Sequence, residues 1–158
     1  MVNFREKMLS FRHLCYKNGY LFAAFLIPVI LMGIAYISFG IYPFGGRSVL
    51  SLDLNAQYVF YFDYVHDVIG NGESLMYSWS RNLSGEFMGI IGYYLASPFN
   101  ILVWIFPRSM ITEGLLTMML AKFGACGVTF ALFAHKSQKL SKTTAALFAP
   151  MYALCAYM

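Results

Sequence analysis

Hydrophobic positions along this chain gather in long uncharged blocks separated by short charged ones. The first block, Tyr20 to Tyr42, runs 23 residues without Asp, Glu, Lys or Arg. As a helix it extends roughly 34 Å, enough for a bilayer core of about 30 Å. It predicts a first transmembrane helix over 20–42. The block is too long for a cleaved leader's apolar stretch and lacks a small-x-small site at its end, so it reads as a retained signal anchor. Pro28 lies inside it, and membrane helices accommodate such a residue. Tyr42-Pro43-Phe44-Gly45-Gly46 is turn chemistry that ends the helix. Leu54 to Ile69 places Leu54, Tyr58, Tyr61, Phe62, Val65 and Ile69 at helical spacing, which predicts an aromatic-rich amphipathic helix at a membrane surface. Gly70-Asn71-Gly72 stops it. Glu73 to Glu86 is a polar loop with Trp79.

Phe87 to Phe106 is a second uncharged block, broken at its centre by Ser97-Pro98-Phe99-Asn100. Proline disfavours helix at the residue before it, and Asn100 is costly against lipid. Met110 to Ala134 is the next block, containing Glu113 near one end and Lys122 near mid-membrane. An intramembrane lysine faces a protein interior or watery cavity, or else snorkels to the interface. A last run, Thr143 to Met158, has 16 residues, short of the ~20 that span. This leads us to expect the N-terminal piece of a larger membrane protein, with a short terminal helix ending in lipid as the alternative.

Charge sets the orientation. Arg5, Lys7, Arg12 and Lys17 precede the first helix, and Lys136, Lys139 and Lys142 follow the 110–134 block. Basic flanks favour the cytoplasm. Both basic clusters lie inside only if 87–106 does not cross. The expected order is therefore 1–19 cytoplasmic, 20–42 transmembrane, and 43–109 an extracytoplasmic loop with juxtamembrane or re-entrant helices. It continues with 110–134 transmembrane, 135–142 cytoplasmic and 143–158 an incomplete transmembrane segment. Hydrophobic residues make up 59% and charged residues 11%, against about 25% charged in a soluble domain. The fold class is all-α, polytopic and integral to the membrane. The net charge of +4 comes from these flanks rather than one basic stripe, so it gives no nucleic-acid footprint. Cys15, Cys126 and Cys155 have no metal or disulfide spacing and read as apolar fillers.

Five of the seven acids, Asp53, Asp63, Asp67, Glu73 and Glu86, fall between Pro43 and Glu86. A carboxylate at Asp53, just after the first helix emerges, suits three roles. It can serve as general base for an acceptor hydroxyl, as a ligand to a divalent cation bridging phosphates, or as a helix N-cap. Asp63 and Asp67 are four residues apart with His66 between, a spacing that fits a metal site or a solvated polar face. Glu86 is either a second acid or a loop acid. Arg47 and Arg81 are the basic residues of the 43–86 tract, each a phosphate partner or an interface anchor. No P-loop, GxSxG, HExxH or CxxC occurs.

The succession SVLSLDLNAQYVFYFDYV, a Tyr-Ser-Trp-Ser loop, GEFMGIIGYYLASPFNILVWIFP, KFGACGVTFALF and FAPMYALCAYM resembles the N-terminal region of the YfhO-like bacterial membrane proteins over nearly the whole chain. The elements D-L-x-x-Q-Y, Y-Y-L-x-S-P-F-N and Y-A-L-C-A-Y-M are its specific parts. The resemblance implies a C-type glycosyltransferase-like helical fold in a bacterial cell membrane. It implies transfer of sugar from a polyprenyl-phosphate-linked donor to an envelope polymer such as teichoic acid. By the same resemblance Asp53 is the catalytic or metal-associated acid of the first outer loop. Ser84-Gly85-Glu86-Phe87 departs from the family's Gly-Gly-Asn-Phe. Gln57, Tyr58, Arg81 and Lys122 are the expected substrate-binding residues, Arg81 or Lys122 holding phosphate. A divalent cation is the one expected cofactor, and membrane lipid, lipid-linked sugar and polymer acceptor are the expected partners. A transporter or flippase of lipid-linked saccharide, or a noncatalytic assembly subunit, fits the same acidic, aromatic cleft.

Overall fold

The computed structural model describes residues 2–79 and 85–155. Among them, two helices are long and apolar enough to cross a membrane, Asn18–Ser38 and Arg108–Lys136, or up to three spans if one bent pair is counted as a span. The chain divides into two compact units.

The first unit takes α1 (Val2–Ser38) up to Ala35, α5 (Ile111–Lys136) from Leu120, and α6 (Lys142–Ala153). Its core is built from alanines: Ala24, Ala131, Ala134, Ala145 and Ala149, with Tyr20, Leu21 and Phe130 against them. Small side chains let helices approach closely where lipid supplies no hydrophobic drive between them. Pro28 has no N–H, so the Ala24 carbonyl lacks its helical donor. That carbonyl lies against Gly127 of α5, where any Cβ would overlap it. Proline and glycine thus act together: one frees an oxygen, the other lets a neighbouring backbone reach it. Phe130 stacks on Tyr152 of α6 at 4.5 Å. Ser141 caps α6, its hydroxyl accepting from the Thr144 N–H at 3.1 Å.

The second unit covers Tyr36–Met119. α1 ends at Ser38, earlier than the expected Tyr42, because Gly40 takes a left-handed conformation (φ 63°) and the chain folds back. The Tyr42–Pro43 bond is cis, and Ile41 bridges to Arg47. A π turn, Leu54–Tyr58, leads into α2 (Val59–Asn71), which Gly72 closes in the left-handed conformation (φ 71°). Phe62, Tyr64 and Val65 are buried, whereas Ile69, expected inward, lies in the last turn of α2 and is 65% exposed.

After α2, Tyr64 donates its hydroxyl proton to the Ser74 and Tyr77 carbonyls and ties the chain back. β1 (Tyr77–Ser78) pairs antiparallel with β2 (Gly85–Glu86). α3 (Met88–Ile90) runs into a second π turn, Ile91–Leu95. Proline at 98 then starts a 3-10 turn leading into α4 (Ile101–Ile105). Met88–Leu95 and Pro98–Ile105 are bent by 95° at this break. Asn100, 1% exposed, donates its side-chain N–H to the Tyr94 carbonyl, which the break leaves without a helical donor. The core of this unit is Phe62, Val65, Phe87, Leu95, Val103 and Leu115 with their neighbours. α6 stops at Ala153, short of the expected 143–158 run, and residues 156–158 lie outside the described residues.

Candidate functional site

Asp53 heads the first π turn. The backbone arrives through Leu52, which has a positive φ (48°) and is 88% exposed. Asn55 and Ala56 donate their N–H groups to the Leu52 carbonyl, which fixes the turn. The Asp53 side chain is exposed and makes no capping hydrogen bond. Of the three roles open to it by spacing, the N-cap is the one it does not fill.

One turn on, Tyr58 stacks on Tyr94 with ring centroids 4.0 Å apart and planes 4° from parallel. Its hydroxyl shares a 3.0 Å hydrogen bond with the Tyr93 hydroxyl. Tyr58 belongs to one π turn and Tyr93 and Tyr94 to the other, and π turns often mark functional places in helices. The bond to Tyr93 pushes the Tyr58 pKa up to about 12, with the Asp53 carboxylate adding a smaller push in the same direction.

A cleft of about 670 Å³ opens along α2. Gln57, Phe60, Tyr61, Asp63, Asp67 and Arg108 line it, with Ser78 and Phe87. Gln57 donates its amide N–H to the Tyr61 hydroxyl at 2.6 Å. Asp63 and Asp67 lie on one face of α2, as their spacing predicts. Pro107 holds the backbone extended and Arg108 begins a short 3-10 turn. From there the guanidinium donates Nε and Nη2 to the two Asp63 oxygens, at 2.5 Å each. It donates Nη1 and Nη2 to Asp67 at 2.5 and 3.3 Å. These bonds, the one to Asp63 foremost, hold the Arg108 pKa above its ordinary value.

The cation between Asp63 and Asp67 is therefore an arginine, not the metal their spacing also fits. The described residues contain no group of three or more His, Cys, Asp or Glu side chains placed to share an ion. Arg108 escaped the sequence reading because it is 45 residues from Asp63 and sits at the edge of an apolar block. The one signal in the sequence was a carboxylate pair one turn apart with no cation nearby along the chain.

The other expected residues are dispersed. Gln57 lines the cleft, and Tyr58 joins the tyrosine stack beside Asp53. Lys122 belongs to the first unit, half-buried on α5. Arg81 lies outside the described residues. Arg47 is exposed and its backbone closes the turn after α1. Glu86 Oε1 accepts from the Gly89 N–H at 2.6 Å and so caps the first turn of α3.

No curated protein and no solved structure matches the chain. The family model for the bacterial membrane protein YfhO matches residues 23–158, and the chain belongs to this family of membrane proteins.

Proposed function

We propose that the chain serves a membrane glycosyltransferase, moving a sugar from a polyprenyl-phosphate-linked donor to an envelope polymer such as teichoic acid. Asp53 carries this reading. It is an exposed, uncapped carboxylate at the head of a π turn, beside an aromatic stack. In the proposed topology the N-terminus is cytoplasmic and the Pro43–Pro107 tract lies at the outer face. The 95° bend supports a re-entrant pair for 88–105, which leaves both basic clusters inside.

Asp53 takes the proton of an acceptor hydroxyl as its oxygen attacks the anomeric carbon. The bond from that carbon to the phosphate oxygen breaks, and the polyprenyl phosphate leaves with the electron pair. Tyr58 keeps its proton at neutral pH and so serves as a hydrogen-bond donor, not a base. The described residues hold no group of three or more His, Cys, Asp or Glu side chains that could cage a metal. Asp53 would therefore hold the expected divalent cation together with substrate phosphate oxygens. Arg81, of the same outer tract as Asp53, is the proposed phosphate partner.

The test is transfer of labelled sugar from a polyprenyl-phosphate donor to polymer, in envelope membranes carrying the intact protein. Asp53→Asn at normal abundance should lower transfer about 10²–10⁴-fold, the usual contribution of a positioned acid–base group. Undiminished transfer by that variant would remove Asp53 from the chemistry. Label that crosses the membrane without joining the polymer would favour a flippase.

A further inference from the structure

The cleft along α2 has a composition that a phosphate site would not have. Among the described residues that line it, two carboxylates and one guanidinium leave one net negative charge, from Asp63 and Asp67 against Arg108. An arginine has five N–H donors, and four of these are already engaged by the carboxylates. An anionic group entering here meets net repulsion and finds one free guanidinium N–H.

Hydrogen-bond acceptors are plentiful instead. Each carboxylate offers about four lone-pair sites, more than Arg108 uses. The Gln57 amide donates to Tyr61, which leaves its carbonyl oxygen to accept and the Tyr61 hydroxyl proton to donate. Phe60, 62% exposed, presents an apolar ring beside these groups. A cavity of about 670 Å³ has the capacity of a small-molecule site. Many acceptors, an aromatic face and no surplus positive charge among the described residues together describe a receptor for a neutral ligand rich in hydroxyl groups.

We infer that the cleft is a neutral-saccharide subsite, in which Asp63 and Asp67 accept hydroxyl protons from a pyranose ring and Phe60 covers its C–H face. Arg108 is a positioning residue that holds the two carboxylates apart and oriented. On the transferase reading proposed above, the cleft receives a sugar or polyol unit of the substrate and not its phosphate. The Gln57–Tyr61 bond and the Tyr58–Tyr61 ring contact at 6.1 Å connect it to the Asp53 end of the same helix.

The test is binding, which does not depend on transfer. The full protein in lipid nanodiscs is titrated with methyl β-D-glucopyranoside and, separately, with glucose 6-phosphate, by saturation-transfer NMR. The expected result is that the glycoside binds and the phosphosugar binds more weakly. Asp67→Asn and Phe60→Ala should each weaken glycoside binding by about tenfold, the scale of a hydrogen bond to a charged group or a lost ring face. Phe60→Ala removes an exposed ring and leaves the core untouched, so its result stands even if Asp67→Asn misfolds. Asp53→Asn should still bind the glycoside. Absence of glycoside binding, unchanged binding in both cleft variants, or tighter binding of glucose 6-phosphate would overturn the inference. Failure of the transferase reading appears separately, as transfer that survives Asp53→Asn.

Discussion

At the scale of single residues, Tyr58 joins the two π turns through its stack on Tyr94 and its shared hydrogen bond with Tyr93. Its pKa of about 12 lies above the ordinary 10.0. A group raised in this way contributes its stabilisation fully below its unfolded pKa and loses it as pH rises through the folded one. The Tyr58–Tyr93 bond should therefore hold below pH 10 and fade as pH approaches 12. Subtracting the phenolate absorbance titration of Tyr58→Phe from that of the native protein should reveal one tyrosine ionising late. A difference curve centred near the ordinary pKa of 10.0 would show that the bond to Tyr93 is not shared in solution. Arg108 gives a second prediction. Lysine keeps the charge but cannot make both forked contacts. Arg108→Lys should lower the thermal midpoint by a few degrees and Arg108→Gln by more. The Arg108→Gln deficit should shrink when Asp63 and Asp67 are also changed to Asn, because the repulsion it exposes is then gone. The carboxylate pair was legible from its spacing. Its partner was not, because hydrophobic periodicity carries no information about which distant cation a tertiary fold delivers.

At the scale of elements, the apolar blocks located the helices, and local chemistry set their ends. Gly72 closes α2 where the sequence places a turn, whereas Gly40 closes α1 inside the expected 20–42 helix, so that α1 stops four residues before the expected Tyr42. The break at Ser97-Pro98 was visible because proline acts locally. The inward face of α2 was only partly visible. Phe62 and Val65 turn inward as the 3.6-residue period predicts, but Ile69, in the last turn of α2, is exposed, because periodicity does not tell where along a helix its packing partners stop. The π turn was not legible either, since no residue in Leu-Asn-Ala-Gln-Tyr announces it. In the first unit, two glycines of one helix face differ in a way that can be tested. A Cβ at Gly127 meets the Ala24 backbone carbonyl, whereas one at Gly124 meets the outer ring atoms of Phe25, a side chain able to turn aside. Gly127→Ala should destabilise the protein by about 1–3 kcal/mol, the usual cost of overpacking, and Gly124→Ala by clearly less. Equal thermal midpoints for the two variants would mean that the Ala24–Gly127 approach is not tight.

At the scale of the whole molecule, the proposed topology puts everything from Pro43 to Pro107 on one side of the membrane. Cysteine placed at Glu73 in a cysteine-free background should react with an impermeant maleimide in intact cells. Cysteine at Ser137 should react only after permeabilisation. Labelling of both from outside would mean that the 88–105 pair crosses. The Arg108 clasp also has a consequence in time. A ribosome makes residues 63 and 67 well before residue 108. Until then, the emerging α2 carries two like charges one turn apart, an arrangement worth about 0.2–0.5 kcal/mol against the helix. The residue that relieves this repulsion is also the first of the Arg108–Lys136 apolar segment. Arrival of that segment at the membrane and closure of the cleft are thus set by the same stretch of nascent chain, so the cleft takes its final form only as the segment behind it is delivered for insertion.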